Sequence, residues 1–215
     1  MNKKNVVLLG ASGLVGYSVL NELLLNENVT YITALVRKPL EVEHPKLQQI
    51  ITKFQDLSSI PCNHSIDVLY SCIGTTRKKT PNLVEYKAID YGITMAVASY
   101  AKAHGCKEIH LVSSVGANQK SSNFYLKIKG EVEEGIVALG FDNCLIYRPS
   151  MLIGERNESR PAEKFGQRLT PFFDVFTFKG KYHSINAKVL AKAMCNSMQK
   201  PGISILHYRE IMALI

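Results

Sequence analysis

Tyr125 and Lys129 stand four residues apart in the stretch FYLKIKGEVEE. On a helix that spacing puts both side chains on one face, one turn apart. A phenol beside an ammonium is a workable proton carrier, because the positive charge favours the phenolate. Such a phenol can give a proton to a carbonyl oxygen as hydride arrives, or take it back in reverse. Ser113 or Ser114, a little upstream, could hold the same oxygen by hydrogen bond. The spacing alone is a weak signal, since chance supplies such pairs. Of the ten tyrosines, only Tyr125 has a lysine four residues on. Its position, on a helix directly after a strand ending in Ser113-Ser114, carries the weight.

A second constellation lies near the start, in VVLLGASGLVGYSVL. An apolar run stops at Gly10, and Gly13 and Gly16 follow at three-residue steps. Where a strand turns into a helix, unpaired N–H groups and the helix dipole favour an anion. Gly10 can make the tight turn, Gly13 lets the main chain approach a pyrophosphate, and Gly16 lets the helix pack on the strand. The whole loop, Gly10-Ala11-Ser12-Gly13-Leu14-Val15-Gly16, is therefore a candidate dinucleotide cradle. Its G-x-x-G-x-x-G spacing departs from the usual G-x-G-x-x-G. The next strand ends Val36-Arg37-Lys38, without the carboxylate that would hold a ribose 2′-hydroxyl. Arg37, with Lys38 beside it and the Ser12 hydroxyl nearby, suits a 2′-phosphate. NADP(H) is favoured over NAD(H). Asp56 either meets the adenine or caps a turn.

The elements that must position these groups alternate. Asn5–Gly10, Val29–Arg37, a weaker Leu47–Phe54, Asp67–Gly74, Glu108–Ser114 and Cys144–Arg148 read as strands. Leu14–Asn26, Leu83–His104 and Asn123–Leu139 read as helices between them. Beyond Pro149, Glu155–Pro161 is a polar loop, Ala187–Gln199 a helix, Ile203–His207 a short strand and Arg209–Leu214 a closing helix. Alternation implies parallel pairing through right-handed crossovers. The near-continuous apolar strands imply helices on both faces. The expectation is an α/β, Rossmann-type doubly wound sheet in the order 3-2-1-4-5-6, with room for a seventh strand. It forms a single domain over 1–215, with a small substrate-side annex from about residue 150. In a sheet of this order Tyr125 falls near the carboxyl ends of the central strands, where ligands bind.

Composition bounds the rest. At 215 residues, 46% hydrophobic and 20% charged, the chain can bury a sizeable core. No apolar stretch approaches the roughly 18 residues of a membrane span. The basic start leads into too short an apolar run for a signal peptide. The five cysteines are scattered, with no zinc-like spacing, so reduced buried thiols and no metal site are expected. These features read as a cytoplasmic protein. The net charge of +8 comes with no nucleic-acid motif, and Arg77-Lys78-Lys79 reads as a solvated loop.

Gly10-Ala-Ser-Gly13-Leu-Val-Gly16, Ser113-Ser114, Tyr125-x-x-x-Lys129 and Arg148-Pro149 together resemble the short-chain dehydrogenase/reductase superfamily, in its atypical or extended branch. LVSSVGANQKSSNFYLKIKGEVEE, with the later ERNESRPAEK, is similar to the Tat-interacting oxidoreductase-like subgroup. The resemblance implies Tyr125 as acid and base, with Lys129 bonding the nicotinamide ribose and easing the loss of the phenol proton. It favours Ser114 for the serine role. It runs the loop Cys72-Ile73-Gly74-Thr75 past the ribose and sets Pro149, Ser150 and Met151 by the nicotinamide. Cys-Ile-Gly-Thr stands where standard members carry Asn-Asn-Ala-Gly. The short region after Pro149 argues against a large sugar-nucleotide lobe. The expected function is an NADPH-dependent oxidoreductase acting on a small carbonyl or alcohol. The alternative is an NADP(H)-binding redox sensor with little turnover, acting through a protein partner. A homodimer stays open, and neither nucleic-acid binding nor membrane insertion is expected.

Overall fold

The computed structural model describes residues 3–54, 64–154 and 183–215. Strand β1 (Lys4–Leu9) leads through the glycine turn into helix α1 (Leu14–Leu25). Strands β2 (Val29–Val36), β3 (Leu47–Ile51) and β4 (Val68–Ser71) follow. Helix α2 (Leu83–Lys87) runs through a π-helical turn, Ala88–Ile93, into α3 (Thr94–Ala103). Strand β5 (Glu108–Val112), helix α4 (Phe124–Ala138) and strand β6 (Asn143–Tyr147) complete the main alternation. Two short strands, β7 (Leu152–Ile153) and β8 (Ile185–Asn186), pair with each other. Helix α5 (Ala187–Asn196), strand β9 (Gly202–Leu206) and helix α6 (Tyr208–Met212) close the chain.

The main sheet has seven strands in the order β3-β2-β1-β4-β5-β6-β9, all parallel. The expected doubly wound order therefore holds, and β9 supplies the seventh strand. Along β1 the side chains alternate between two cores: Val6 and Leu8 join one, Val7 and Leu9 the other. The first core takes Val19, Leu20 and Leu23 of α1 and Leu190 and Met194 of α5. The second takes Val97 and Ala101 of α3 and Ile128, Val132 and Ile136 of α4. Each fully buried aliphatic of this kind contributes about 1.5–3 kcal/mol. Both faces being covered, the strands lose the polar–apolar alternation of a half-exposed sheet.

The helix expected over Ala187–Gln199 ends at Asn196 and the strand expected over Glu108–Ser114 ends at Val112; three further differences bear on the site or the sheet. The single helix expected over Leu83–His104 is interrupted by the π turn, which changes the register and turns Asp90 inward. The Thr94 hydroxyl donates to the Asp90 carbonyl within that turn at 2.8 Å. The strand expected over Leu47–Phe54 stops at Ile51, and Phe54 takes a positive φ of 60°. The β7–β8 pair was not foreseen, because two-residue strands leave no periodicity to read. Asp56 and the Glu155–Pro161 loop lie outside the described residues.

One buried polar network ties β5, β6 and the end of α5 together. Glu108 accepts from His110 Nε2 at 2.8 Å, from the Gln199 N–H at 2.9 Å and from Asn143 Nδ2 at 3.1 Å. His110 Nδ1 then faces the Tyr147 hydroxyl at 2.9 Å, and that hydroxyl meets Ser197 Oγ. Tyr70 stacks on the imidazole with ring centroids 4.4 Å apart. Burial pushes the His110 pKa below its ordinary value, only partly opposed by Glu108. Burial would raise Glu108, but the hydrogen bonds from His110, Gln199 and Asn143 outweigh it and the net shift is downward. Both groups bind protons more readily in the unfolded chain than in the fold. Stability should therefore fall as pH drops below about 6.5, and again below about 4.5. Urea unfolding between pH 8 and pH 5 checks this: the midpoint should decline toward acid, and His110→Gln should flatten that decline. A midpoint independent of pH over that range would contradict it.

Candidate active site

The glycine turn sits at the topological switch between β1 and β4, the crevice where open α/β sheets bind ligands. Gly10 has φ +87°, and a Cβ there would lie 2.7 Å from the Cys72 carbonyl carbon. A Cβ on Gly16 would collide with the Gly10 carbonyl. Only bare main chain fits, and the two loops pack backbone to backbone. Gly13, the N-cap of α1, supplies no side-chain cap, and the first turn of α1 holds no acidic residue. By contrast Asn82, Asn123 and Asn186 cap α2, α4 and α5 with their side chains. The first-turn amides of Leu14, Val15 and Gly16 are thus left for an outside acceptor. Ala11 is buried in the turn and Ser12 is exposed. Arg37 and Lys38 are exposed directly after β2, the neighbour of β1.

The loop after β4 meets helix α4 through two buried charges. Lys129 Nζ lies 3.4 Å from Asp90 Oδ1, with side chains 8% and 0% exposed. Asp90 Oδ2 accepts the Thr75 N–H at 2.8 Å. Gly74 packs beside both charged groups, and the Tyr86 hydroxyl donates to the Thr75 carbonyl at 3.0 Å. Cys72, Ile73, Gly74 and Thr75 are thereby brought next to Lys129. Burial pushes the Asp90 carboxyl above its ordinary pKa, while Lys129 and the Thr75 amide pull the other way. Burial also raises the Cys72 thiol, so it stays protonated at neutral pH.

Tyr125 is half-buried in the first turn of α4, where the Asn123 carboxamide accepts its N–H at 3.0 Å. Lys129 follows one turn later on the same face. Phe124 packs edge-on against Tyr86, and the Arg77 guanidinium stands over the Phe124 ring at 5.9 Å. The two serines differ. The Ser113 hydroxyl donates to the Glu133 carboxylate. Among the described residues, Ser114 Oγ reaches only the Val115 carbonyl, at 3.3 Å. Ser113 is thus committed inside the protein, and Ser114 is the freer donor. Glu133 also takes Arg148, through Nε at 2.9 Å and through Nη2. Just beyond Arg148, Pro149 is buried and its carbonyl accepts the Val115 N–H at 2.9 Å. Ser150 Oγ donates to the His183 carbonyl at 2.6 Å, and Met151 is 48% exposed.

Sequence reasoning missed Asp90 and Glu133. Glu133 was within reach, one further turn along the Tyr125–Lys129 face. Asp90 was not, because the π turn that aims it inward breaks the helical register.

A bare glycine turn at the switch point and a first helix without a side-chain cap define a Rossmann-type dinucleotide-binding fold. The sequence profile of an NAD(P)H-binding family matches residues 10–200, and the chain belongs to that family. Protein HTATIP2 of Rattus norvegicus is 32% identical over 219 residues, covering 100% of this chain and 89% of its own length. A protein of Aspergillus niger named fmp52, mitochondrial, is 34% identical over 209 residues, covering 90% of this chain and 86% of its own. The word mitochondrial in that name qualifies the expectation of a cytoplasmic protein. No helix among the described residues is long and apolar enough to cross a membrane. Among solved structures, a UDP-N-acetylglucosamine 4-epimerase of Methanobrevibacter ruminantium superposes with a TM-score of 0.71 at 17% identity, over 96% of this chain and 77% of that one. The Bordetella bronchiseptica enzyme WbmH in complex with NAD+ superposes with a TM-score of 0.72 at 18% identity, over 95% and 75%. At these identities the likeness is one of fold.

Removing Asp90 should be costly before any ligand is considered. Asp90→Ala leaves the Lys129 ammonium buried without a counter-charge, an expected loss of about 3 kcal/mol. Urea denaturation of the protein without cofactor measures it; a loss below about 1 kcal/mol, the range of an exposed pair, would show that the two charges are not coupled as described.

Proposed function

We propose that the protein is an NADP(H)-dependent oxidoreductase that reduces a small carbonyl compound to an alcohol, and runs the reverse reaction. The observation that carries this reading is the placement of Lys129, one turn from Tyr125 and beside the loop Cys72–Thr75. That loop itself touches the glycine turn at Gly10. A cofactor lying from the glycine turn across this loop meets Lys129 and Tyr125 at its far end.

The residues fit such a group. The amides of α1 would hold the pyrophosphate, and Arg37 with Lys38 would take a 2′-phosphate where a carboxylate would have repelled it. Lys129, held 3.4 Å from Asp90, would hold the ribose. Pro149 and Met151 would flank the ring. When bound, the cofactor supplies or accepts the hydride. Ser114 donates a hydrogen bond to the carbonyl oxygen and fixes its direction. Tyr125 delivers the proton to that oxygen as it gains negative charge.

Three measurements test the reading. Arg37→Ala should weaken NADPH binding by about 2 kcal/mol, a charge-assisted pair's worth, while changing NADH binding little. Equal weakening of both would remove the argument for NADP(H). Tyr125→Phe should bind NADPH as before and lose at least about a hundredfold in turnover. Turnover that survives in this variant would mean that another group is the acid. The substrate panel should pair carbonyl compounds with and without a carboxylate, because Arg77 stands beside Phe124 at the Tyr125 end. Tight NADPH binding with no turnover across the panel would favour the redox-sensing alternative, with a protein partner in place of a substrate.

A further inference from the structure

We infer that Glu133 is a positioning residue of the nicotinamide end of the site, acting through Ser113 on one side and Arg148 on the other. The inference rests on the proposed oxidoreductase reading and extends it to residues that touch neither cofactor nor substrate. Glu133 follows Tyr125 and Lys129 at helical spacing on α4, and it is 5% exposed. Its carboxylate accepts three hydrogen bonds from two sides: one from the Ser113 hydroxyl, and two from Arg148, through Nε at 2.9 Å and through Nη2. Ser113 is the residue before Ser114. Arg148 is the residue before Pro149, whose loop carries Met151. One carboxylate thus joins the helix bearing the acid, the strand end bearing the oxygen-holding serine, and the loop flanking the ring.

Elsewhere α4 is held to the loop after β5 by the Asn118 N–H on the Leu126 carbonyl at 3.0 Å, and to β5 and β6 by non-directional packing of Ile128, Val132 and Ile136; Glu133 adds the directed polar tie at the strand ends. The Ser113 N–H bonds the Tyr147 carbonyl at 2.8 Å and the Val115 N–H bonds the Pro149 carbonyl at 2.9 Å. These fix β5 against β6 but not α4 against either. The guanidinium fork fixes direction as well as distance, which a lysine would not. Glu133 also settles which serine is available. A hydroxyl has one proton to donate, and Ser113 gives it to the carboxylate. Substrate meets Ser114 because Glu133 has removed Ser113 from competition.

The test compares wild type, Glu133→Gln, Arg148→Lys and the double variant Glu133→Gln/Arg148→Gln. Three readouts are taken on each: NADPH affinity, the fluorescence of the bound reduced nicotinamide, and kcat against KM on a carbonyl that wild type reduces. Glu133→Gln keeps the shape and loses the charge. It should bind NADPH within about twofold of wild type while kcat falls about ten- to a hundredfold, the scale of a misplaced reacting group. The emission of the bound nicotinamide should change with it. Arg148→Lys should fall between wild type and Glu133→Gln, and the double variant should be no worse than Glu133→Gln, as expected for members of one unit. A purely structural pair would lower the urea midpoint and leave kcat and nicotinamide emission unchanged; that result overturns the inference. Additive losses in the double variant overturn it as well. Should wild type bind NADPH and reduce nothing, the enzymatic reading fails by itself, and the emission change alone decides the positioning role. Should wild type bind no NADPH, both fall. Ser113→Ala guards against a misfolded variant: it should reproduce a lesser share of the kcat loss, and an unchanged kcat and emission would exclude the serine arm.

Discussion

Main chain at Gly10 lies so close to main chain at Cys72 that a single added carbon on Gly10 would overlap the Cys72 carbonyl. That contact fixes the mouth of the crevice. It brings the turn after β1 and the loop after β4 to one place, and it bars side chains from the surface between them. The same loop carries Gly74 and Thr75 onward to Asp90 and Lys129. A continuous floor therefore runs from the first helix to the fourth. The order of the strands makes this possible, since β1 and β4 are neighbours although α1, β2 and β3 come between them in the chain.

Among the described residues, the buried carboxylates all have a partner. Asp90 faces Lys129, Glu133 faces Arg148, and Glu108 faces His110. Each carboxylate also takes a hydrogen bond from a neutral group. Such arrangements gain little net stability over an apolar core, but removing one partner is expensive. Two of the three lie on α4 or reach it, and both adjoin the crevice. The third sits between β5, β6 and α5, away from the glycine turn. A buried charge is thus used here to set the direction of a helix or loop rather than to strengthen the fold.

Much of this was legible in the sequence. Apolar strand runs of four to eight residues, separated by helical periods and punctuated by glycine, give the sheet order by rule. The glycine loop and the Tyr125–Lys129 pair were visible because their chemistry depends on spacing along one element. What stayed hidden depends on how elements meet. Asp90 is aimed by a π turn, which no 3.6-residue pattern reveals. The engagement of Ser113 depends on a carboxylate about twenty residues away, on a different element. The weak strand at Leu47 was overextended because Thr52-Lys53-Phe54 reads as a continuation, whereas the chain leaves the sheet there.

The bare start of α1 has a consequence beyond binding. Three other helices bring their own asparagine to their first turn; this one waits for phosphate oxygens. Once a dinucleotide is seated, it completes the fold's first crossover, and at a hundredfold excess over its dissociation constant such a ligand adds about 2.7 kcal/mol against unfolding. Protection from unfolding, and with it resistance to proteolysis of the opened chain, would then rise and fall with nucleotide concentration.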